Sequence, residues 1–350
     1  MFERQKQLHK RVFRGETDYI PLCVNVTAPE VPRHTNYAAM LDPAKAIFNA
    51  ENTYANTKEV GSDVVPMVES NFMECLVPSI FGAQTYESAG GLIDAKPFIS
   101  SVSQMSEINV TDIFNAEMEA AIKHLEYLKA NAPEWLYVNH SRPMSPLDYA
   151  VIMRGGDFYL DLAMEPELCV EFLRKIADVT IKTTNEFKKI IDQPSDEFAT
   201  VRGLIFPGIR LTGDAVVNLS PTMIEEIMCP IYREFECEFG AAMLHYCCTP
   251  APSGHVIGAL ASGGGINCVD NWQGYRTFFN ADCDVADTLQ TDIGICTDIT
   301  KEQILSGEIA NDIFITLKGR PLTCTTHVDT VDEGKRVYEK WQEMFDCGLY

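Results

Sequence analysis

The residues best equipped for chemistry close the stretch Met243-Leu244-His245-Tyr246-Cys247. It opens as a short apolar run and ends in an imidazole and a thiol one residue apart. In a strand, that spacing puts both side chains on one face. Together they can hold a soft divalent ion such as Zn²⁺. The same two residues would also serve as ordinary core packing if no third ligand met them. Apolar strand, then polar end, is how a strand of an α/β barrel delivers its catalytic groups. In such a barrel the ends of different strands converge on one mouth. Cys324, closing a later strand, can then be the third ligand and leave the fourth position of tetrahedral zinc to a substrate. Cys268 and Cys296 are alternatives for that third place. Cys248 points to the opposite face.

The elements that must position these residues alternate between short strands and helices. Strands are predicted over Tyr19–Val26, Val64–Val68, Trp135–Asn139, Leu204–Pro207, the Met243 run, Ile266–Asp270, Asp292–Cys296 and Pro321–Cys324. Helices are predicted over residues 1–14, Ala44–Asn52 behind the cap Asp42, from Thr111 to Pro133, and after Ser145-Pro146 and Pro166. Further helices follow Ser220-Pro221 and span Ser253–Leu260, Thr300–Leu305, Ile309–Leu317 and Asp329–Phe345. Eight strands alternating with helices predict a (β/α)8 TIM barrel with an N-terminal extension and long βα loops. A doubly wound sheet is the alternative. The chain is read as one domain, 1–350, with its core at about 17–345, and residues 72–103 as an irregular excursion, a candidate lid. Gly263-Gly264-Gly265 follows a helix rather than a strand and is no dinucleotide fingerprint.

Predicted strand ends carry further candidates. Glu69, Asn139, Asp214 and Asp270 are read as catalytic or ligand-orienting groups, and Asn267 and Arg142 as binding groups. Each also suits a bland role in a turn, cap or surface. His140 and His327 are reserve proton carriers, whereas His124 and His255 fall within helix patterns. Across 350 residues, 28 basic against 50 acidic side chains give a net charge of −22, which speaks against a nucleic-acid surface. No apolar run is long enough for a membrane span, and the first residues do not read as a signal peptide. Twelve cysteines, too sparse for a disulfide scaffold, fit a reducing cytoplasm.

Several segments resemble the uroporphyrinogen decarboxylase superfamily, and within it the cobalamin-dependent methyltransferase branch. Arg14-Gly15-Glu16 with Asp18-Tyr19-Ile20-Pro21 is similar to the family's opening. Arg142-Pro143-Met144-Ser145-Pro146-Leu147, then Met153-Arg154-Gly155, Asp161-Leu162 and Pro166, is similar to its central segment. Gly213-Asp214, Leu219-Ser220-Pro221 and Pro230-Ile231-Tyr232 give the strongest match, followed by Leu244-His245-Tyr246-Cys247. The likeness runs over roughly residues 11 to 345. It implies a zinc site of His245, Cys247 and Cys324 and cobalamin carried by a small separate corrinoid protein. The implied reaction moves a methyl group between that cobalt and a thiol or a phenyl methyl ether. Nothing from Val24 to Arg33 reproduces the decarboxylase's arginine-rich motif, which speaks against porphyrinogen decarboxylation. The competing readings are a metal-free carboxy-lyase using Arg142, Arg154 or Arg210, and a non-enzymatic corrinoid-binding protein.

Overall fold

Eight short strands, each parallel to a neighbour, frame the computed structural model, which describes residues 2–27, 32–88, 93–247, 254–270, 293–307 and 321–346. They are β1 (Leu22–Val26), β2 (Met67–Glu69), β3 (Tyr137–Asn139), β4 (Ile209–Thr212), β5 (Ala242–His245), β6 (Cys268–Asp270), β7 (Gly294–Asp298) and β8 (Leu322–Val328). Among the described residues, six form one sheet in the order β1-β8-β7-β6-β5-β4, and β2 pairs only with β3. The fold is therefore mixed α/β with a six-stranded parallel sheet, and the eight strands do not form one continuous ladder.

The two interruptions have local causes. The free edge of β1 is taken by side chains: Asp63 accepts from Leu22 N, Ser62 from Val24 N and Thr57 from Val26 N. Beside β4, Pro143 O accepts from Thr212 N (3.0 Å) and Ser145 N donates to Thr212 O (2.6 Å), a single bridge rather than a strand. Between β3 and β4 the chain inserts an antiparallel hairpin, Phe198–Ala199 with Ile205–Phe206. This corrects the expected fourth strand: Leu204–Pro207 belongs to the hairpin, and the parallel strand begins at Ile209. Gly208 makes the switch possible, because a Cβ there would lie 2.1 Å from Ala241 O. Gly203, at φ +81°, turns the hairpin where a Cβ would meet Val64 Cγ1 at 2.7 Å.

Period-two alternation divides the sheet into two faces. Leu22, Val24, Ile209, Leu211, Ala242, Leu244, Val269, Ile295 and Leu322 join one hydrophobic cluster with Val337 and Trp341 of the closing helix Val331–Asp346. Cys23, Met243, Cys268 and Cys296, of the opposite parity, pack with Val65 and Met67. Arg210, His245, Asp270 and Asp298 share this inner parity.

Several helices start where cap chemistry predicts. Asp42, Ser145, Ser220 and Thr300 each accept a backbone N–H from the first turn, with proline at the start of the first three helices. The helix expected from Thr111 instead starts at Ala116, because Asn115 supplies the cap. The segment 72–103 is less irregular than expected. It holds the helix Leu76–Ile80 and the antiparallel pair Thr85–Glu87 with Ile93–Ala95, and it buries Phe72, Cys75, Val77 and Phe81. The expected helix at 309–317 and Cys248 lie outside the described residues. Among the described residues no helix is long and apolar enough to cross a membrane.

Candidate metal centre

β5 ends at His245, and Cys247 follows with the same parity. The imidazole Nε2 and the thiol Sγ lie 3.2 Å apart. The third member comes from the neighbouring strand. Gly213 N donates to His245 O at 2.7 Å, which staples the end of β4 to the end of β5. The 3₁₀ turn Asp214–Asn218 starts at that staple, and Asp214 Oδ1 accepts from Cys247 N at 2.5 Å. The turn is pinned from below by buried Asp148, whose Oδ1 accepts from Ala215 N at 3.0 Å. Asp214, His245 and Cys247 thus bring one carboxylate oxygen, one ring nitrogen and one sulfur within 4.8 Å of one another. His245 is buried, whereas Asp214 and Cys247 are exposed, so the cluster opens to solvent on one side.

The donor set fits zinc. Ligand bonds of ~2.1 Å to nitrogen and ~2.3 Å to sulfur put the two atoms about 3.6 Å apart in a tetrahedron. The observed 3.2 Å reaches that with a small relaxation. Three protein ligands with an open fourth direction is the arrangement of a zinc site that admits substrate.

Beneath the cluster lies a buried charge network. His245 Nδ1 faces Asp270 Oδ2 at 3.4 Å, so the carboxylate orients the ring and leaves Nε2 toward Cys247. Asp270 also receives Arg202 Nε at 2.8 Å and Arg210 Nε at 2.9 Å, with all three side chains 2% exposed or less. Burial pushes the Asp270 carboxyl up, but the two guanidiniums overcome it and hold the group ionised, well below the usual carboxylate range. Asp298 takes the other side of Arg202 at 2.5 Å, and burial raises its carboxyl to about 6 against the pull of that arginine. Burial, and then the charge of Arg210, lowers the His245 pKa and keeps the ring neutral, the form that binds a metal. Burial and the Asp214 charge raise the Cys247 thiol in the absence of an ion.

Of the residues singled out from the sequence, His245, Cys247, Asp214 and Asp270 come together. Cys324 does not. It lies in β8 on the helix-facing side, in the cluster with Leu22 and Trp341, and its register partner on β7 is Thr297. β8 runs on to Val328, four residues beyond the expected end, so Cys324 is neither at the mouth nor on the inner face. Asp214, read from the sequence as a catalytic group, stands where Cys324 was expected as the third ligand. Asn267 is also corrected: it precedes β6, at the opposite end from Asp270, where its side chain accepts from Ala242 N and donates to Glu236. Asn139 is buried and holds the hairpin, donating to Ala199 O at 2.9 Å and accepting from Gln193 Nε2 at 3.1 Å. Glu69 and Arg142 form an ion pair of 2.9 Å at the ends of β2 and β3. Cys268 and Cys296 sit 3.6 Å apart on the inner face, both buried, and are not part of the cluster. His140 is buried between Phe187 and Phe198, His327 is the penultimate residue of β8 opposite Asn25, and Arg154 pairs with Asp157 and Asp161.

Arg202 and Asp298 escaped sequence reading. Asp298 was within reach: extending the seventh strand by two residues from Cys296 keeps the inner parity. Arg202 offered no signal, since a charge before glycine in a turn ordinarily faces water. No protein-family model and no curated protein sequence matches this chain.

Proposed function

We propose that the protein is a zinc-dependent methyltransferase that passes a methyl group between a small substrate and the cobalt of a corrinoid carried by a separate protein. In this reading the eight parallel strands are those of an interrupted barrel, and its mouth holds the metal. The observation that carries the reading is the meeting of His245, Cys247 and Asp214 where β4 and β5 end, with Asp270 behind the imidazole. Zinc bound there supplies Lewis acidity, which favours the thiolate of a thiol substrate or polarises the oxygen of a phenyl methyl ether. The chain's own part is positional. Asp270 fixes the ring, Arg202 and Arg210 keep Asp270 ionised, and the Gly213–His245 backbone bond keeps Asp214 beside Cys247. Nine unpaired cysteines among the described residues fit a reducing cytoplasm.

The first test is the metal content of protein purified without added metal. About one zinc per chain is expected, lost in His245→Ala and Cys247→Ser, weakened in Asp214→Asn and kept in Cys324→Ser. Metal-loaded protein is then offered methylcobalamin with thiols, and Co(I) cobalamin with phenyl methyl ethers. Wild-type protein without zinc under reducing conditions refutes the reading. Zinc that survives Asp214→Asn unweakened and leaves with Cys324→Ser refutes Asp214 as the third ligand. The metal-free carboxy-lyase alternative draws on Arg142 and Arg210, but Arg154 is committed to its two aspartates.

A further inference from the structure

A cavity of about 360 Å³ opens where the chain enters β1, at the end of the sheet opposite the metal cluster. One wall is a face of the first helix, Glu3–Phe13. Arg4, Gln7, Leu8 and Arg11 recur there at the spacing that stacks side chains on one side of a helix. Tyr19 and Gln342 of the closing helix supply the facing wall, and buried Asp63 lies at the floor. These walls are tied together. Tyr19 Oη and Leu22 N donate to Asp63 Oδ2 at 2.9 and 3.0 Å, and Tyr338 Oη donates to Oδ1 at 2.9 Å. Trp341 Nε1 donates to Ile20 O at 2.8 Å, which holds the closing helix against the entry to β1.

Those bonds engage both oxygens of Asp63, the one carboxylate lining the cavity among the described residues. The arginines are not so engaged. Among the described residues Arg4 forms no hydrogen bond or ion pair, and Arg11 gives only Nη2, to Glu16 O at 3.2 Å. Burial raises the pKa of Asp63, and Arg4 lies near enough for its charge to oppose the rise. Elsewhere Arg154, Arg174, Arg202 and Arg210 each face a carboxylate. Arg4 and Arg11 stand two turns apart, roughly 10 Å along the axis, so two long side chains can converge on one group between them. A guanidinium fork matches the oxygens of a phosphoryl group, with which it forms paired, charge-assisted hydrogen bonds. Leu8 and the Tyr19 ring add apolar surface for an organic body, and the volume suits a small metabolite.

We infer that this cavity binds a phosphoryl dianion, either free phosphate or a small phosphate monoester, between Arg4 and Arg11. The chain carries a net charge of −22 and repels anions as a whole, so the site depends on this local pair. A bound dianion bridges the first helix to the closing helix at the end of the sheet remote from the metal. The site is therefore separate from the proposed reaction and stands or falls without it.

The probes are inorganic phosphate, phenyl phosphate and phenol, titrated calorimetrically into the full chain at matched ionic strength. At least one phosphate should bind more tightly than about 1 mM, and phenyl phosphate should exceed phenol by about ten-fold or more. Comparable binding of both phosphates assigns free phosphate, and binding of phenyl phosphate alone assigns an ester. Arg4→Gln and Arg11→Gln should each weaken binding by about ten-fold, whereas Arg174→Gln on a distant helix should not. Both cavity arginines are exposed, so circular dichroism should be unchanged in their variants. His245→Ala should bind as wild type, which separates this cavity from phosphate held by zinc. No saturable binding up to about 10 mM, binding unaltered in the Arg4→Gln/Arg11→Gln double variant, or binding lost with His245→Ala each overturns the inference.

Discussion

Replacing Asp270 by asparagine probes the support beneath the metal centre with two independent readouts. The carboxylate uses one oxygen for Arg202 and the other for Arg210 and His245. An amide of the same shape offers one acceptor and turns an NH₂ toward a cation. Arg202 keeps Asp298, whereas Arg210 keeps, among the described residues, only the Thr212 hydroxyl. One fully buried guanidinium therefore loses its counter-charge, a change that costs about 3–5 kcal/mol. Urea unfolding followed by tryptophan fluorescence and circular dichroism, on chelated protein, reads this directly as a lower midpoint at unchanged slope. Asp270→Asn combined with Arg210→Met removes the orphan and should recover more than half of the loss, a coupling that a double-mutant cycle isolates. Loss of the carboxylate behind the imidazole should also weaken zinc binding by ~10–100-fold in competition with a chromogenic chelator. A single variant costing under about 1 kcal/mol would refute the claim that the network is a buried, mutually dependent set of charges. Unchanged zinc affinity would refute the orienting role of Asp270.

Acid should unfold the protein through two buried histidines. His9 accepts a bond from Ile205 N through Nδ1, His140 is enclosed by phenylalanines, and burial lowers both to about 3. Unfolded histidine takes up its proton near pH 6.5, so the unfolded state binds more protons between pH 6.5 and 3. Stability then falls as pH drops through that window, by up to ~1.4 kcal/mol per pH unit for each ring. His140→Asn should flatten the measured slope by about one proton, and an unaltered slope would contradict the assignment. Gly203→Ala should destabilise by roughly 1–3 kcal/mol, because φ is +81° and the new methyl meets Val64. It should lower zinc affinity as well by displacing Arg202, and a neutral result would show that the hairpin turn is slack. Chelation should leave far-ultraviolet circular dichroism unchanged, since the hydrophobic clusters are built from side chains other than Asp214, His245 and Cys247. Loss of helical signal on chelation would make the metal structural instead.

What the sequence made legible follows from which signals are local. β5 was readable because a short apolar run passes directly into His245 and Cys247, and alternation alone puts those two on one face. The helix starts at Pro43, Pro146 and Pro221 were readable because cap and proline are adjacent in the chain. β8 misled for an equally local reason. Its residues Thr323, Thr325 and Thr326 are β-branched and amphiphilic, so polarity does not mark its inner and outer positions. Ending it at Cys324 turned a helix-facing thiol into an apparent ligand at the mouth.

The role of Asp214 depends on contacts that no local pattern carries. It reaches Cys247 only because Gly213 bonds to His245 O and Asp148 grips the turn, and these partners lie 32 and 67 residues from the groups they hold. Arg202 is the extreme case. Its side chain is drawn inward by Asp270 and Asp298, which arrive on β6 and β7, so its burial becomes sensible only once three separate elements are side by side. The inner face of the sheet concentrates this kind of residue: its apolar members close one end, and its charged members pair across strands toward the other. Periodicity identifies which residues lie on that face, but the pairing among Arg142, Arg202, Arg210, Glu69, Asp270 and Asp298 is fixed by the strand order.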